Sequence, residues 1–524
     1  MHRRFTSASI LAGAAALVFS SAALAGSGPV LVSGPSPYAG CTPAATQTGR
    51  NYLNAEVEPQ LAVNPTNTNN AIGQWHQDRW SNGGSRGIAG AFTTNGGGSW
   101  TETTVPSSNC TPGGFNFERS SDPWVSFGPD GTAYSSVLEL DGSDDRTGVS
   151  GAVSHDGGQT WVNQQLLESN PNGTVFSDKN SVTADPVHAG VAYMVWDNLL
   201  SQVGSADAFL HAAQYTGPAV MSKTTDGGVS WSPVQSFIDT MNRQQTIGNV
   251  VLIDPRNGTV FDFTDLIAAP NTPFQGTFSN SEVAFVKSQD GGATWSQPQV
   301  IAPFDALGVV DPNTGQSARV GDGLQEVAID PASGKLYVVW ESSTNFNKNI
   351  NQAAGGFDNE VLLTTSSDGG ASWSTPTAIV GPRSLPVFTP TVAVGANGVV
   401  AVTYYDSKDL SATNTTTWPI SYFVTYSLDK GATFSAPQRI AGPFDEMSAP
   451  VARGFFLGDY EGLQSMGSGF LALFAKTNCN LSPSDPNAPP TGNPLCGPAS
   501  SSVTPTPNTN PNDVFSATLT PPKK

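Results

Sequence analysis

The chain has 524 residues, 38% hydrophobic and only 12% charged, about half the ~25% charge of an average globular domain. That apolar share supplies a core and excludes general disorder, and 55 glycines with 40 prolines punctuate too many turns for long helices. Lys+Arg 23 against Asp+Glu 42 gives a net charge of −19, which repels phosphate backbones and anionic membrane surfaces and argues against a nucleic-acid partner.

Residues 1–25 read as an export signal. His2, Arg3 and Arg4 form the basic start, an apolar run covers Ile10 to Phe19, and Ala23-Leu24-Ala25 offers a small-residue cleavage site. The run is shorter than the ~20 residues of a membrane span, and no other stretch could cross a bilayer. No cysteine follows the cleavage site, so no lipid anchor is expected there. A secreted protein, extracellular or periplasmic after cleavage near Ala25, is expected. Its four cysteines, Cys41, Cys110, Cys479 and Cys496, are an even count in an oxidising compartment and predict two disulfides. Pairing Cys41 with Cys110 and Cys479 with Cys496 is preferred among three pairings, because each pair staples one terminal region. Without a Cys-x-x-Cys pair, a thiolate metal site is not expected.

One octapeptide recurs along the mature chain: TTNGGGSW (93–100), SHDGGQTW (154–161), TTDGGVSW (224–231), SQDGGATW (288–295), SSDGGASW (366–373) and SLDKGATF (427–434). The aspartate accepts backbone amides of its own turn, and the second glycine supplies angles that other residues adopt at a cost. Each copy therefore predicts a β-hairpin tip. A strand–turn–strand unit precedes each copy, as in EPQLAVNPTNTNNAIGQW (58–75) and LQEVAIDPASGKLYVVW (324–340). A seventh such unit, GLQSMGSGFLALFAK (462–476), has no octapeptide after it. Four strands per unit of roughly sixty residues predict an all-β propeller over 26–524 as a single domain. Seven blades are preferred and six are the alternative. In the seven-blade reading, strands from Asp513–Leu519 and Gly28–Val32 close the ring and bury its last edges. The Pro-, Ser- and Thr-rich stretch at about 480–511 reads as a surface loop.

The propeller topology gathers first-strand starts and second-strand exits on one face. The starts bring Glu56, Glu58, Arg119, Asp122, Asp178, Lys179, Arg319, Asp322, Arg453, Asp459, Tyr460 and Glu461. The exits bring Trp75, His76, Asp78, Glu139, Trp196, Asp197, Asp262, Trp340, Glu341, Tyr404, Tyr405 and Asp406. Aromatic rings beside carboxylates suit sugar recognition, and paired carboxylates supply acid and base for glycoside cleavage. The competing reading makes these residues hydrogen-bond anchors between blades. The five histidines form no His-Glu-x-x-His string, so no zinc hydrolase is expected. Clustered oxygens at Asp141–Asp145 offer a calcium site or a solvated acidic loop; no cofactor is otherwise required.

The octapeptide resembles the Asp-box of the sialidase (BNR-repeat) superfamily, over about Glu56 to Phe434. The resemblance implies structural Asp-boxes at the blade periphery and an exo-α-sialidase-like glycoside hydrolase acting on an extracellular glycan, as a monomer. That family clamps its substrate with three arginines, for which Arg119, Arg319 and Arg453 stand here. A tyrosine nucleophile polarised by a glutamate would be Tyr404 or Tyr405 with Glu341, and Asp78 would be the acid. Trp196, Asp197, Trp340, Asp406 and Asp459 complete the expected binding surface. The family's Arg-Ile-Pro-type signature is absent, and no Arg-x-Pro occurs in the chain. The alternative function is a non-catalytic propeller that binds glycans or proteins.

Overall fold

The structure is a computed structural model that describes residues 28–42, 46–142, 145–171, 173–201, 215–240, 244–268, 280–321, 323–343, 346–347, 352–353, 358–487, 495–496 and 510–523. The export signal, Asp322, Asp144 and residues 488–494 and 497–509 of the Pro-rich loop lie outside the described residues. Among the described residues the fold is all-β, with one short 3-10 turn at Glu446–Ser448.

Seven groups of four antiparallel strands follow one another. Sheet 1 holds Glu56–Val63, Ala71–Arg79, Ser85–Thr93 and Thr101–Thr104. Sheet 2 holds Arg119–Phe127, Ala133–Leu140, Thr147–Ser154 and Val162–Asn170, and joins sheet 1 through the single pair Ser85 and Ser120. Sheet 3 holds Val175–Ala184, Ala192–Ser201, Ala219–Thr224 and Gln235–Ile238. Sheet 4 holds Gln244–Ile253, Val260–Ala268, Asn280–Ser288 and Gln299–Pro303. Sheet 5 holds Gln325–Ile329, Leu336–Ser343, Asn359–Ser366 and Thr377–Arg383. Sheet 6 holds Val387–Val394, Val400–Asp406, Pro419–Ser427 and Gln438–Asp445. In sheet 7, Gly462–Met466 and Gly469–Thr477 are joined by Asn512–Leu519 and then by Val30–Leu31, so both chain ends meet in one sheet. The first strands touch in the order of sheets 1 to 7, and that of sheet 7 touches that of sheet 1.

Alternating apolar residues pack each sheet on its neighbours. Phe261, Phe263 and Phe285 of sheet 4, for example, bury against Trp340 of sheet 5. Disulfides join Cys41 to Cys110 and Cys479 to Cys496, the preferred pairing. No helix among the described residues is long and apolar enough to cross a membrane.

The octapeptides form the outer turns. In the third copy, Asp226 Oδ1 accepts the Thr224 hydroxyl (2.9 Å) and the Ser230 N–H (2.9 Å), and its Oδ2 accepts the Ser230 hydroxyl (2.6 Å). Both glycines are left-handed, at φ 75° and 77°. A Cβ on Gly228 would meet Val153 of the preceding sheet at 2.5 Å. The special angles thus belong to both positions rather than to the second alone. In the sixth copy Lys430 occupies the first of them at φ 63°.

Each turn is also latched by the sheet before it. Carbonyls of Gly157, Gly228, Gly291, Gly369 and Lys430 accept from Asn70 (3.0 Å), Gln165 (3.2 Å), Lys223 (2.8 Å), Lys287 (3.1 Å) and Lys335 (2.8 Å). The Gly96 carbonyl accepts from Thr518 of sheet 7 at 3.4 Å.

Candidate functional site at the hub of the sheets

Five of the seven first strands carry a β-bulge at an equivalent place; those of sheets 5 and 7 pair without one. One extra residue interrupts the pairing between Val57 and Gln60, Ser121 and Trp124, Asp178 and Ser181, Ile247 and Val250, and Phe388 and Thr391. The bulged residue is left-handed every time: Glu58 (φ 55°), Asp122 (48°), Lys179 (45°), Gly248 (72°) and Thr389 (49°). That conformation costs a non-glycine residue roughly 1–2 kcal/mol and persists only where surroundings over-determine it. Here they do. The Glu58 N–H is held by the Leu457 carbonyl (3.0 Å), the Asp122 N–H by His76 Nε2 (2.8 Å) and the Lys179 N–H by Asp178 Oδ1 (3.0 Å).

Three of these bulges deliver ionic side chains to one place. Lys179 Nζ lies 3.5 Å from Glu58 Oε1, 3.5 Å from Asp459 Oδ2 and 3.9 Å from Asp122 Oδ2. Its ammonium also sits 4.5 Å from the centre of the Tyr460 ring, and Tyr460 packs on Trp124 at 5.3 Å. Arg319 Nη2 donates to Asp459 Oδ2 at 2.8 Å, and the guanidinium lies over Phe456 at 4.5 Å. Phe456 also receives the buried Arg79 at 5.1 Å, whose Nη1 donates to the Gly84 carbonyl at 2.6 Å. A small sheet of Val309–Val310, Ser317–Arg319 and Phe455–Phe456 carries Arg319 and Phe456 into the cluster.

Glu58, His76 and Asp122 are the described residues whose ligand atoms lie close enough (within 4.8 Å) for a metal ion. His76 Nε2 already accepts the Asp122 N–H, however, and the Lys179 ammonium takes a cation's place between Glu58 and Asp122. At the other candidate, Asp141 is consumed by Arg146 Nε (2.7 Å) and the Glu118 N–H (2.7 Å).

The environments split the carboxyl groups. Burial would raise Asp122, but Lys179 and His76 outweigh it and hold Asp122 well below the usual carboxylate range. Arg319 and Lys179 likewise overcome burial at Asp459. Asp178, half-buried, is pushed up to about 7 by burial and by neighbouring Asp122. Burial lifts Glu326 to about 8 and, with Arg319 beside it, lowers Arg79 to about 10. A separate cavity of about 160 Å3 lies among the first strands. Gln60, Trp124, Thr183, Val251, Val327, Val392 and Leu463 line it, one from each sheet.

Of the residues singled out in the sequence, Arg319 and Asp459 lie in this cluster. Arg119 does not share it: its nitrogens are taken by Gln47, Asn82, Gly83 and Thr48, and it stacks on Trp80 at 4.3 Å. Arg453 is exposed in a turn at φ 72°. Asp78 is buried and accepts Ser36 (2.6 Å) and the Asn54 N–H (2.8 Å), so it clamps the N-terminal segment. The partner of Tyr405 is Glu461 at 2.6 Å, not Glu341, and both are buried in the seam of sheets 6 and 7. Burial and Glu461 raise Tyr405 well above its ordinary range, the reverse of an activated nucleophile. Glu341 accepts from Asn359 in its own sheet (2.7 Å), and Tyr404 stacks on Phe423.

Asp197 reaches across to Thr246 (2.6 Å) and Asn249 (2.5 Å) of sheet 4. Asp406 pairs with Arg383 of sheet 5 at 2.5 Å. Trp196 and Trp340 are fully buried. These contacts are anchors between neighbouring sheets. The sequence reading had gathered Glu58, Asp122, Asp178 and Lys179 on this face without giving them the chemistry. Proline follows the bulged residue at Glu58, Asp122 and Thr389, a recurrence that marks equivalent strand positions, but it favours extended backbone and does not itself announce the left-handed turn.

No protein-family model and no curated protein sequence matches the chain. Solved structures align at low identity. One is an alpha-L-arabinanase of Penicillium chrysogenum complexed with arabinobiose (14% identity, 72% of this chain and 94% of that one, TM-score 0.44). Another is an alpha-L-arabinofuranosidase from Fusarium graminearum (15%, 72% and 92%, TM-score 0.44). A third is a Hadza microbial sialidase (14%, 74% and 70%, TM-score 0.43). Similarity at this level assigns neither family nor substrate.

Proposed function

We propose that the chain is an exported seven-bladed propeller, closed by its two terminal strands, and that the hub cluster is the active site of a glycoside hydrolase. The blade count is supported by the cyclic contacts of the first strands and by the latch from Thr518 to the first octapeptide turn. The two disulfides accord with an oxidising compartment outside the cytoplasm. The observation that carries the chemistry is the split between half-buried Asp178 at about 7 and Asp122 far below it; carboxyl groups pushed apart in this way mark an acid and its ionised partner. Asp178 gives its proton to the glycosidic oxygen as the bond to the anomeric carbon breaks. Water forms the new bond to that carbon, and its proton passes to ionised Asp122.

The test is hydrolysis of a panel of aryl glycosides, with a fluorogenic sialoside included, by wild type and Asp178→Asn. Turnover that falls as pH rises through about 7 and is lost in the variant supports the reading. A sialidase-like version requires turnover of the sialoside. No turnover by wild type on any glycoside, with binding on a glycan array retained, would leave the non-catalytic binding propeller instead.

A further inference from the structure

The hub has no cation to spare. Three carboxylates (Glu58, Asp122, Asp459) face Lys179, Arg319 and Arg79, and the buried His76 ring is already spent on the Asp122 N–H and on Glu58 Oε2 at 2.9 Å. Lys179 is hemmed in by all three carboxylates, and Arg79 is buried. A carboxylate on the substrate would add an unpaired charge to this balanced, largely dry site, which is costly, in a chain already at −19. What remains open to a ligand is one pair. The Arg319 side chain is 27% exposed, and among the described residues its one hydrogen-bond partner is Asp459, whose Oδ2 accepts from Nη2 at 2.8 Å. Asp459 itself keeps 8% exposure. A guanidinium edge beside a carboxylate offers N–H donors next to an acceptor. That is the complement of two adjacent hydroxyls, one accepting from Arg319 and the other donating to Asp459.

We infer that the sugar held at the hub is neutral and is recognised through a vicinal diol by the Arg319–Asp459 pair. This rests on the hub being the glycan site proposed above, but not on its being catalytic.

Binding is measured with the Asp178→Asn protein, which leaves glycans intact. The probes are neutral pentose and hexose oligosaccharides, the same compounds O-methylated at the diol, sialyllactose and oligogalacturonate. The expected result is saturable binding of a neutral oligosaccharide, weakened roughly 10- to 100-fold by methylation or by Arg319→Met, with both acidic glycans weaker than the neutral one. Acidic glycans that bind as tightly as the neutral ones, methylation without effect, or no neutral ligand at all would each overturn the inference. Should Arg319→Met unfold, methylation alone decides, since it leaves the protein untouched. Diol binding without turnover in wild type sinks the hydrolase and keeps this inference; sialoside turnover does the reverse.

Discussion

The rim and the hub are built from equally regular backbone, and they treat side chains in opposite ways. At the rim, five of six octapeptides keep the same aspartate, and the hydrogen bonds repeat almost to the tenth of an ångström: the backbone N–H four residues on meets Oδ1 at 2.9 Å in Asp226, Asp290 and Asp368. At the hub, five equivalent bulges present Glu58, Asp122, Lys179, Gly248 and Thr389, four of them in a strained conformation. Identity under repetition marks what every sheet needs in order to fold. Divergence at equivalent positions, with strain retained, marks what the assembled sheets use once.

The largest effect that would sharpen this contrast is on activity. Asp178→Asn keeps an acceptor for the Lys179 N–H but has no proton to give, so kcat should fall roughly 10²- to 10⁴-fold with an unchanged melting temperature. A variant that loses stability along with activity would make the hub a brace like the rim. Lys179→Met tests the opposite quality. Removing the ammonium leaves Glu58, Asp122 and Asp459 facing one another, and breaking such a buried ionic group costs about 3–5 kcal/mol. Denaturant unfolding reads it directly, and a loss below about 1 kcal/mol would mean that water already screens the cluster.

The rim should be softer and uniform. Ser288 Oγ donates to Asp290 Oδ1 and accepts the Gly292 N–H, both at 2.8 Å. Ser288→Ala should cost about 1–2 kcal/mol. The equivalent changes at Ser154 and Ser366, which make the same pairs, should cost the same. Unequal costs would break the idea that the rim is one device repeated.

The same contrast explains what could be read in advance. The octapeptides and the strand pairs before them follow from local patterns repeated along the chain, so they were legible; the terminal strands of sheet 7 and the disulfides were reached instead from the unpaired seventh unit and from an even cysteine count. The hub depends on where bulges fall and on which neighbour each bulged side chain meets, and those are long-range facts. Tyr405 illustrates the difference: its aromatic-plus-acid neighbourhood was visible, but its buried partner Glu461 lies 56 positions away in the next sheet. Family resemblance directed attention to three arginines, whereas the cluster is organised by a lysine.

Between rim and hub lies one group that obeys neither rule. Asp262, in the second strand of sheet 4, is fully buried opposite Val251 and Val286, and neither carboxyl oxygen has a hydrogen-bond partner. Burial, and secondarily Asp197, holds it protonated far above the usual carboxylate range. The folded protein therefore keeps a proton that the unfolded chain releases at about pH 4, and its contribution to stability declines as pH rises toward neutrality. Asp262→Leu removes that proton linkage and matches the apolar neighbours. The variant should differ little from wild type at about pH 4 and gain about 1.4 kcal/mol for each pH unit above it, as measured by urea unfolding at each pH. A gap that stays constant with pH would show that Asp262 is not held protonated. A loss at every pH would show that the carboxyl has a stabilising partner, making it a third anchor of the kind formed by Asp197 and Asp406.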